Sequence, residues 1–239
     1  MRLVANTSYF SRKEISGYEG TLYDLSYYQG LGWPNAFNTG ATLVALSYVN
    51  AADYPLIDTD GVHLPAGFTD YRSPATIQNQ QQSITQEIRL ESTDSDSRFV
   101  YTVGGFWQLA REYSLEEIHD PMADTLLQGI FGPGATSLNI FGAATLQNGD
   151  GYYNRNIAHD RQLAAFGELS YRLTDELKVT AGGRYSKSSF DLSHFADGPL
   201  NFGQTTSNAA ASESKFTPKL GMSWQATPAD LYYLTYSNG

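Results

Sequence analysis

The sequence of 239 residues contains no cysteine, so neither a disulfide framework nor a thiolate metal site is available to it. Basic residues are also scarce: 15 Lys and Arg stand against 25 Asp and Glu, a net charge of -10 that argues against nucleic acid as a partner. No apolar run approaches the roughly 18 residues that a transmembrane helix needs. Residues 1–7 lack an apolar core and a cleavage site, so we expect no signal peptide.

Tyrosine and glycine, by contrast, are abundant, with 17 and 22 residues. The clearest pattern is the stretch 161–191, where apolar and polar residues alternate on both sides of the short polar break 174–176. A period of two predicts strands, and the break predicts a tight hairpin turn. Each arm has at least ten residues. An ordinary strand has about 5–6, whereas a tilted membrane-spanning strand needs about 9–11.

The same alternation recurs along the chain and predicts an all-β fold, an antiparallel up-and-down meander of about seven strands. They are 1–13, 83–92, 98–113, 160–173, 176–192, 213–226 and 230–237. Three long loops, 14–82, 114–159 and 193–212, alternate with short turns, so a meander places all the long loops at one end. Residues 42–49 are compatible with either a helix or a strand, and 115–118 could begin a helical turn.

The long loops concentrate the negative charge, because they hold 13 of the 25 acidic residues and only 2 of the 15 basic ones. Short turns at one end and long loops at the other are typical of outer-membrane β-barrels. We therefore expect an acidic rim on a curved, open segment of such a barrel.

Residue parity assigns two faces to the predicted sheet. One is apolar, and we expect it to be convex and to face lipid; it includes Phe99, Val103, Leu177, Val179, Leu220 and Trp224. Aromatic residues of this parity are interpreted as membrane-interface girdles, with ordinary core packing as the alternative: Tyr101, Trp107, Tyr171, Tyr185 and Trp224. The other face carries charges of both signs, at Glu87, Arg89, Glu168, Arg172, Lys178, Arg184, Lys215 and Lys219. Cross-strand ion pairs are favoured for them over a substrate path.

No catalytic constellation emerges from the sequence. The adjacent carboxylates Glu116-Glu117 and Asp175-Glu176 point to different faces of a strand, which favours solvated side chains. Asp58-Thr59-Asp60-Gly61 begins like a calcium loop but lacks the carboxylate at its twelfth position, so a turn is favoured.

All four histidines fall in the predicted loops, near several aspartates: His63, His119, His159 and His194, with Asp58, Asp60, Asp120 and Asp160. A metal site on the rim is one interpretation. Polar loop residues without a metal are favoured, because no pair has ligand spacing. We predict no catalytic, cofactor or metal residues, and we assign no ligand-binding residues.

Five stretches, taken in order, resemble the barrel of TonB-dependent outer-membrane receptors. Residues 83–90 (S-I-T-Q-E-I-R-L) are similar to the family's S-Q-E-L-R-L strand, and 103–107 (V-G-G-F-W) to its G-G-F/L-Y/W strand. The hairpin from Ala165 to Tyr185 resembles F-x-E-x-x-Y…G-x-R-Y/F. Residues 215–219 (K-F-T-P-K) resemble F-T-P-K/R, and 232–239 resemble Y-x-x-Y-S-x-G.

The resemblance implies an outer-membrane transporter, not an enzyme, that imports a scarce, bulky ligand such as a ferric siderophore with energy from TonB. Because such transporters have about 22 strands, we expect residues 1–239 to be a partial barrel domain. Its expected partners are outer-membrane lipid, a plug domain, the remaining strands and the TonB system. A passive porin, with 14–82 folded inward, and a secreted β-sandwich for adhesion are the alternatives.

Overall fold

The computed structural model describes residues 1–31, 57–58, 61–62, 67–94 and 97–238. Seven long strands form one antiparallel sheet in sequence order, and a separate pair of two-residue strands lies in the first loop. The elements in chain order are β1 (Arg2–Glu19), α1 (Thr21–Leu31), β2 (Ile57–Asp58), β3 (Gly61–Val62), β4 (Pro74–Glu91), β5 (Phe99–His119), α2 (Ala123–Phe131), α3 (Ser137–Phe141), β6 (Asp150–Arg172), β7 (Leu177–Asp197), β8 (Thr205–Thr227) and β9 (Asp230–Ser237). The predicted all-β, open meander is confirmed.

The long loops all lie at one end of the sheet, as predicted. Glu19 pairs with Pro74 across the first loop, and the turns after β4, β6 and β8 close the opposite end. Antiparallel neighbours in sequence order leave no other arrangement.

The loop boundaries, however, were predicted wrongly. The loops are 20–73, 120–149 and 198–204, so the third is a short connection, and residues 115–118 belong to β5 and form no helical turn. The strands are longer than the segments in which apolar and polar residues alternate. Strand pairing depends on backbone hydrogen bonds, and these continue where neither face of the sheet meets lipid. Residues 42–49 lie outside the described residues.

Because the strands are longer than predicted, fewer acidic residues lie in the loops and more lie on the strands. The observed loops contain seven acidic residues and one basic residue, a net charge of -6. The other six acidic residues of the predicted loops lie on the strand ends that carry those loops. The acidic rim is therefore formed by strand ends together with loops, and not by loops alone.

The strand register assigns every side chain to a face, because directly opposed residues in an antiparallel pair point the same way. One row runs through Tyr101, Leu169, Ala181, Leu220 and Tyr236. The neighbouring row crosses all seven strands and is polar: Arg2, Glu91, Thr102, Glu168, Gly182, Lys219 and Ser237. We call the two sides the apolar face and the polar face. The predicted parity is confirmed, and the convexity of the apolar face stays a prediction.

The apolar face is open. Phe99 and Val103 are about half exposed, at 49% and 50%, and Leu220 is 56% exposed. Among the described residues the only other sheet is the pair β2–β3, whose strands of two residues each are too short to cover this face. A soluble sandwich would need such a cover, so this alternative is not supported. In the described part of the chain, no helix is both long and apolar enough to span a membrane.

Gly104 marks a close approach between three neighbouring strands. A Cβ built there would lie 2.6 Å from the carbonyl oxygen of Ile88, on β4, and 2.7 Å from the ring of Phe166, on β6. Phe166 is the residue directly opposite Gly104 in the β5–β6 pair. The next residue, Gly105, has room, with its nearest neighbour at 3.8 Å.

We expect Gly104→Ala to lower the free energy of unfolding by about 1–3 kcal/mol, because the added methyl group pushes against backbone. Gly105→Ala is the matched control and should have a much smaller effect. Urea unfolding of the complete barrel in detergent, followed by the shift in gel mobility, measures both. Equal losses would contradict the packing seen at Gly104.

Candidate functional site

The first two loops and the third connection fold together into a small hydrophobic core, which we call the loop cap. Its buried side chains are Leu25, Tyr28, Phe68, Tyr71, Leu126, Leu127, Ala135, Ile140, Phe141 and Leu200, with Met122 and Tyr152 packed against them. Tyr28 lies against Phe141, with ring centroids 6.1 Å apart. Helix α2 contributes Leu126 and Leu127, both fully buried. The cap therefore holds distant loop segments in one body.

The loop cap packs mainly on the polar face. Ala75, Ile118 and Ala196 are buried at the loop end of their strands and belong to that face. Tyr152 pairs with Ile118 and packs against the cap core. Leu115, of the opposite parity, is also buried there. The loops thus cover one end of the polar face.

Asp120 lies in the middle of the cap and is fully buried. Its Oδ2 accepts hydrogen bonds from the hydroxyl groups of Tyr28, at 2.7 Å, and Tyr71, at 2.5 Å. Burial raises the pKa of Asp120, while the Tyr71 and Tyr28 hydroxyl groups act in the opposite direction. Burial likewise raises the pKa of both tyrosines, so they remain protonated donors. These bonds connect the first loop to the start of the second.

Asp24, on α1, is fully buried as well. Among the described residues no group donates a hydrogen bond to either of its carboxylate oxygens. Burial raises the pKa of Asp24 to about 7, and the negative charge of Asp120 adds to this shift; the Ser73 hydroxyl opposes it from nearby, although it forms no hydrogen bond with Asp24. A buried carboxylate without donors is costly, which makes this part of the cap chemically unusual.

The histidines do not converge. His119, His159 and His194 lie in strands, so their assignment to loops was wrong, and His63 is outside the described residues. His119 Nδ1 lies 3.2 Å from Asp150 Oδ1, and His194 Nδ1 lies 2.9 Å from Asn156 Oδ1.

The aspartates considered with the histidines are equally scattered. Asp58 is in β2, Asp60 is not described, and Asp160 lies on the polar face of β6, away from the buried Asp120. Within the described ranges, no three His, Asp or Glu side chains are placed to hold a metal ion.

The charged residues of the polar face form two kinds of contact. Lys219 Nζ, on β8, reaches Glu168 Oε2, on β6, at 2.6 Å across Gly182 of the intervening strand. Arg89 pairs within its own strand with Glu87 and Glu91, at 2.5 and 3.1 Å.

The remaining predicted lumen residues, Arg172, Lys178, Arg184 and Lys215, share this face by register. The Arg184 guanidinium lies 5.1 Å from the centre of the Phe106 ring. Contacts within the face are thus partly cross-strand ion pairs, as predicted, and partly within a strand or with an aromatic ring.

Several aromatic residues of the apolar face lie towards its two ends, whereas Tyr101 and Tyr236 share the register row of Leu220. Phe99 lies edge-on to Tyr171 at 6.3 Å, and Trp224 stacks on Tyr232 at 5.8 Å, both near the short turns. Tyr185 pairs with Phe216 nearer the loops. Phe216 to Trp224 is nine residues of β8, within the roughly 9–11 that a tilted strand needs to cross a membrane.

The sequence interpretation assigned no core to the loops, since the only elements it considered within them were 42–49, as a helix or strand, and 115–118, as a helical turn. One signal was present: Ala123, Leu126, Leu127 and Ile130 follow the i, i+3, i+4, i+7 spacing of an amphipathic helix, and α2 forms there. The buried positions of Asp24 and Asp120 have no such signal, because they depend on which loops meet.

A family model described as TonB dependent receptor-like, beta-barrel matches residues 2–239. No curated protein sequence matches the chain.

Solved structures of two receptors are similar. The ferric yersiniabactin uptake receptor FyuA from Yersinia pestis has a TM-score of 0.51 and 14% identity, over 68% of this chain and 22% of that one. The ferric-catecholate import receptor Fiu from E. coli K12 has a TM-score of 0.40 and 12% identity in its open form, over 70% of this chain and 26% of that one. Its closed form has a TM-score of 0.43 and 14% identity, over 70% and 24%. The chain spans 22–26% of the length of these receptors, and the likeness to FyuA shows the fold alone.

Proposed function

The chain belongs to the TonB-dependent receptor-like β-barrel family, and from this premise we propose that residues 1–239 form one section of the barrel of an outer-membrane active transporter. The ligand we propose is scarce and bulky, such as a ferric siderophore, imported with energy from the TonB system. The family is one of outer-membrane receptors for transport in Gram-negative bacteria, which agrees with the prediction that the chain is not an enzyme.

This proposal depends on one observation: the apolar face of the sheet is continuous and exposed, whereas the loop cap covers one end of the polar face. Strands that cross a membrane present alternate residues to lipid and to the lumen, and the register gives that separation across the whole seven-stranded sheet. The loop cap then lies at the external mouth of the lumen, where a ligand would first be captured. Its acidic rim disfavours free anions through charge repulsion.

The unpaired edges of the sheet support further barrel strands as partners. Among the described residues, β1 pairs only with β4, and β9 pairs only with β8. Lipid cannot satisfy exposed backbone groups, so an open edge is not viable in a membrane. We therefore propose that the remaining strands of the same barrel, together with a plug domain inside it, complete this section.

Production of this chain without its neighbouring strands tests that proposal. We expect it to accumulate in inclusion bodies, because two open edges and a wide apolar face favour aggregation. Cell fractionation and size-exclusion chromatography measure the outcome. A monodisperse, soluble monomer in the absence of detergent would contradict the membrane assignment.

Transport is tested with the complete receptor in cells that lack their own siderophore receptors. We expect radiolabelled uptake of one member of a panel of ferric siderophores, and loss of that uptake when TonB is deleted. A passive porin would give uptake that persists without TonB, and this result would refute active transport. A small sugar that enters through an unrelated porin is the control for membrane integrity.

A further inference from the structure

The loop cap contains an unusual group of buried oxygens. Five side-chain oxygens of the described residues are buried without a hydrogen-bond partner. Four of them belong to three residues of the cap: both carboxylate oxygens of Asp24, Oδ1 of Asp120 and the hydroxyl of Ser73. All three residues have 0% exposure. Buried polar groups are normally paired, so each exception requires an explanation.

These three residues belong to one neighbourhood. Thr21, Asp24 and Tyr28 share one face of α1; the Ser73 N–H donates to the Thr21 hydroxyl, and the Tyr28 hydroxyl donates to Asp120. The Tyr28 and Tyr71 hydroxyl groups both donate to Asp120 Oδ2, whereas Asp120 Oδ1 has no hydrogen-bond partner. Ser73 is fixed by its backbone, because its N–H donates to the Thr21 hydroxyl at 3.1 Å and Gly20 N–H donates to its carbonyl at 2.9 Å.

Among the described residues, no Lys or Arg side chain forms an ion pair with these carboxylates. The sequence has neither Lys nor Arg between Lys13 and Arg72, and the Arg72 guanidinium donates to the Tyr71 carbonyl at 2.6 Å. The ring of His119 is directed to Asp150, 3.2 Å from its carboxylate. Buried charges are paired or coordinate metals, and among the described residues neither Asp24 nor Asp120 has an ion-pair partner within bonding distance.

We propose that Asp24, Ser73 and Asp120 form a site for a hard divalent cation, calcium, that joins the first loop to the second. The donors are all oxygens, which calcium prefers; it takes about 6–8 of them at flexible geometry. Two carboxylates balance the charge of one divalent ion, and backbone oxygens or water complete the shell. Magnesium fits less well, because it requires a near-octahedral shell and retains its water.

The site would stabilise the cap when calcium is present outside the cell. Asp24 belongs to α1 and Ser73 immediately precedes β4, while Asp120 follows β5. A cation between them connects both ends of the first loop to the second loop. The inference does not depend on which ligand is transported, so failure of the uptake experiment would leave it intact.

The test uses the complete receptor in detergent, freed of metal with a chelator and titrated with calcium alone. Hydrogen–deuterium exchange of the amides of α2 reports opening of the cap. At a calcium concentration about ten times Kd, we expect opening, and therefore exchange, to slow about tenfold. Binding of one radioactive calcium ion per receptor should follow the same curve, and magnesium should have a weaker effect.

Asp24→Asn and Asp120→Asn should abolish both signals, and Ser73→Ala should weaken calcium binding while both carboxylates remain. Asp70→Asn is the matched control, since it removes the same charge from an exposed position in the same loop. If exchange in α2 does not respond to calcium, Asp24 is a neutral buried acid and the proposal is wrong. Unchanged calcium binding by Asp24→Asn would also overturn it.

Discussion

Leu220→Arg in the complete receptor is expected to make folding into the membrane less favourable by about 2–4 kcal/mol, which is the cost of arginine near the midplane of a lipid-facing strand. Leu220 pairs with Ala181 on one side and Tyr236 on the other, and it is 56% exposed. It lies between Phe216 and Trp224, midway along the apolar segment of β8. Urea titration of refolding into lipid vesicles measures the loss.

The neighbouring Lys219 provides the control, because it lies on the opposite face. Lys219→Leu removes an ion pair whose two side chains are 48% and 41% exposed, and such pairs are worth about 0–1 kcal/mol. We expect a penalty in that range or none. Equal penalties at positions 219 and 220 would refute the assignment of the two faces, and with it the membrane orientation of the whole sheet.

Leu126→Ala should destabilise the loop cap by about 2–5 kcal/mol, since truncation of a fully buried leucine loses apolar contact and leaves a cavity. Leu126 has 0% exposure and lies in the cluster that joins both long loops to the third connection. Exchange of the amides of α2 should accelerate roughly thirtyfold or more, because about 1.4 kcal/mol corresponds to a factor of ten. Global unfolding of the strands should hardly change.

Leu138→Ala is the matched control in the same cap, because Leu138 is 56% exposed on α3. Surface changes of this kind stay within about 0.5 kcal/mol, so exchange in α2 should remain near the wild-type rate. If both variants accelerate exchange equally, the buried cluster does not stabilise the cap. If ligand uptake falls only with Leu126→Ala, the cap is required for capture.

The alternation of apolar and polar residues by itself determined the seven strands, their order and the side of the sheet on which each residue lies. Leu177, Val179 and Leu220 lie on the predicted face, since a period of two is a local property that register preserves. The end at which the long loops gather was predictable for the same reason. A meander of antiparallel neighbours allows no other choice.

Only the tertiary structure determined where the strands end and which loop residues are buried, because the alternation of apolar and polar residues carries neither kind of information. Strands β1, β4, β5, β6, β7 and β8 continue into segments predicted as loops, because backbone pairing persists after lipid contact ends. The burial of Asp24 and Asp120 arises only when α1 and the start of the second loop, about a hundred residues apart, meet over the polar face. Contacts of such long sequence separation depend on the sheet that brings the loops together, so no local spacing predicts them.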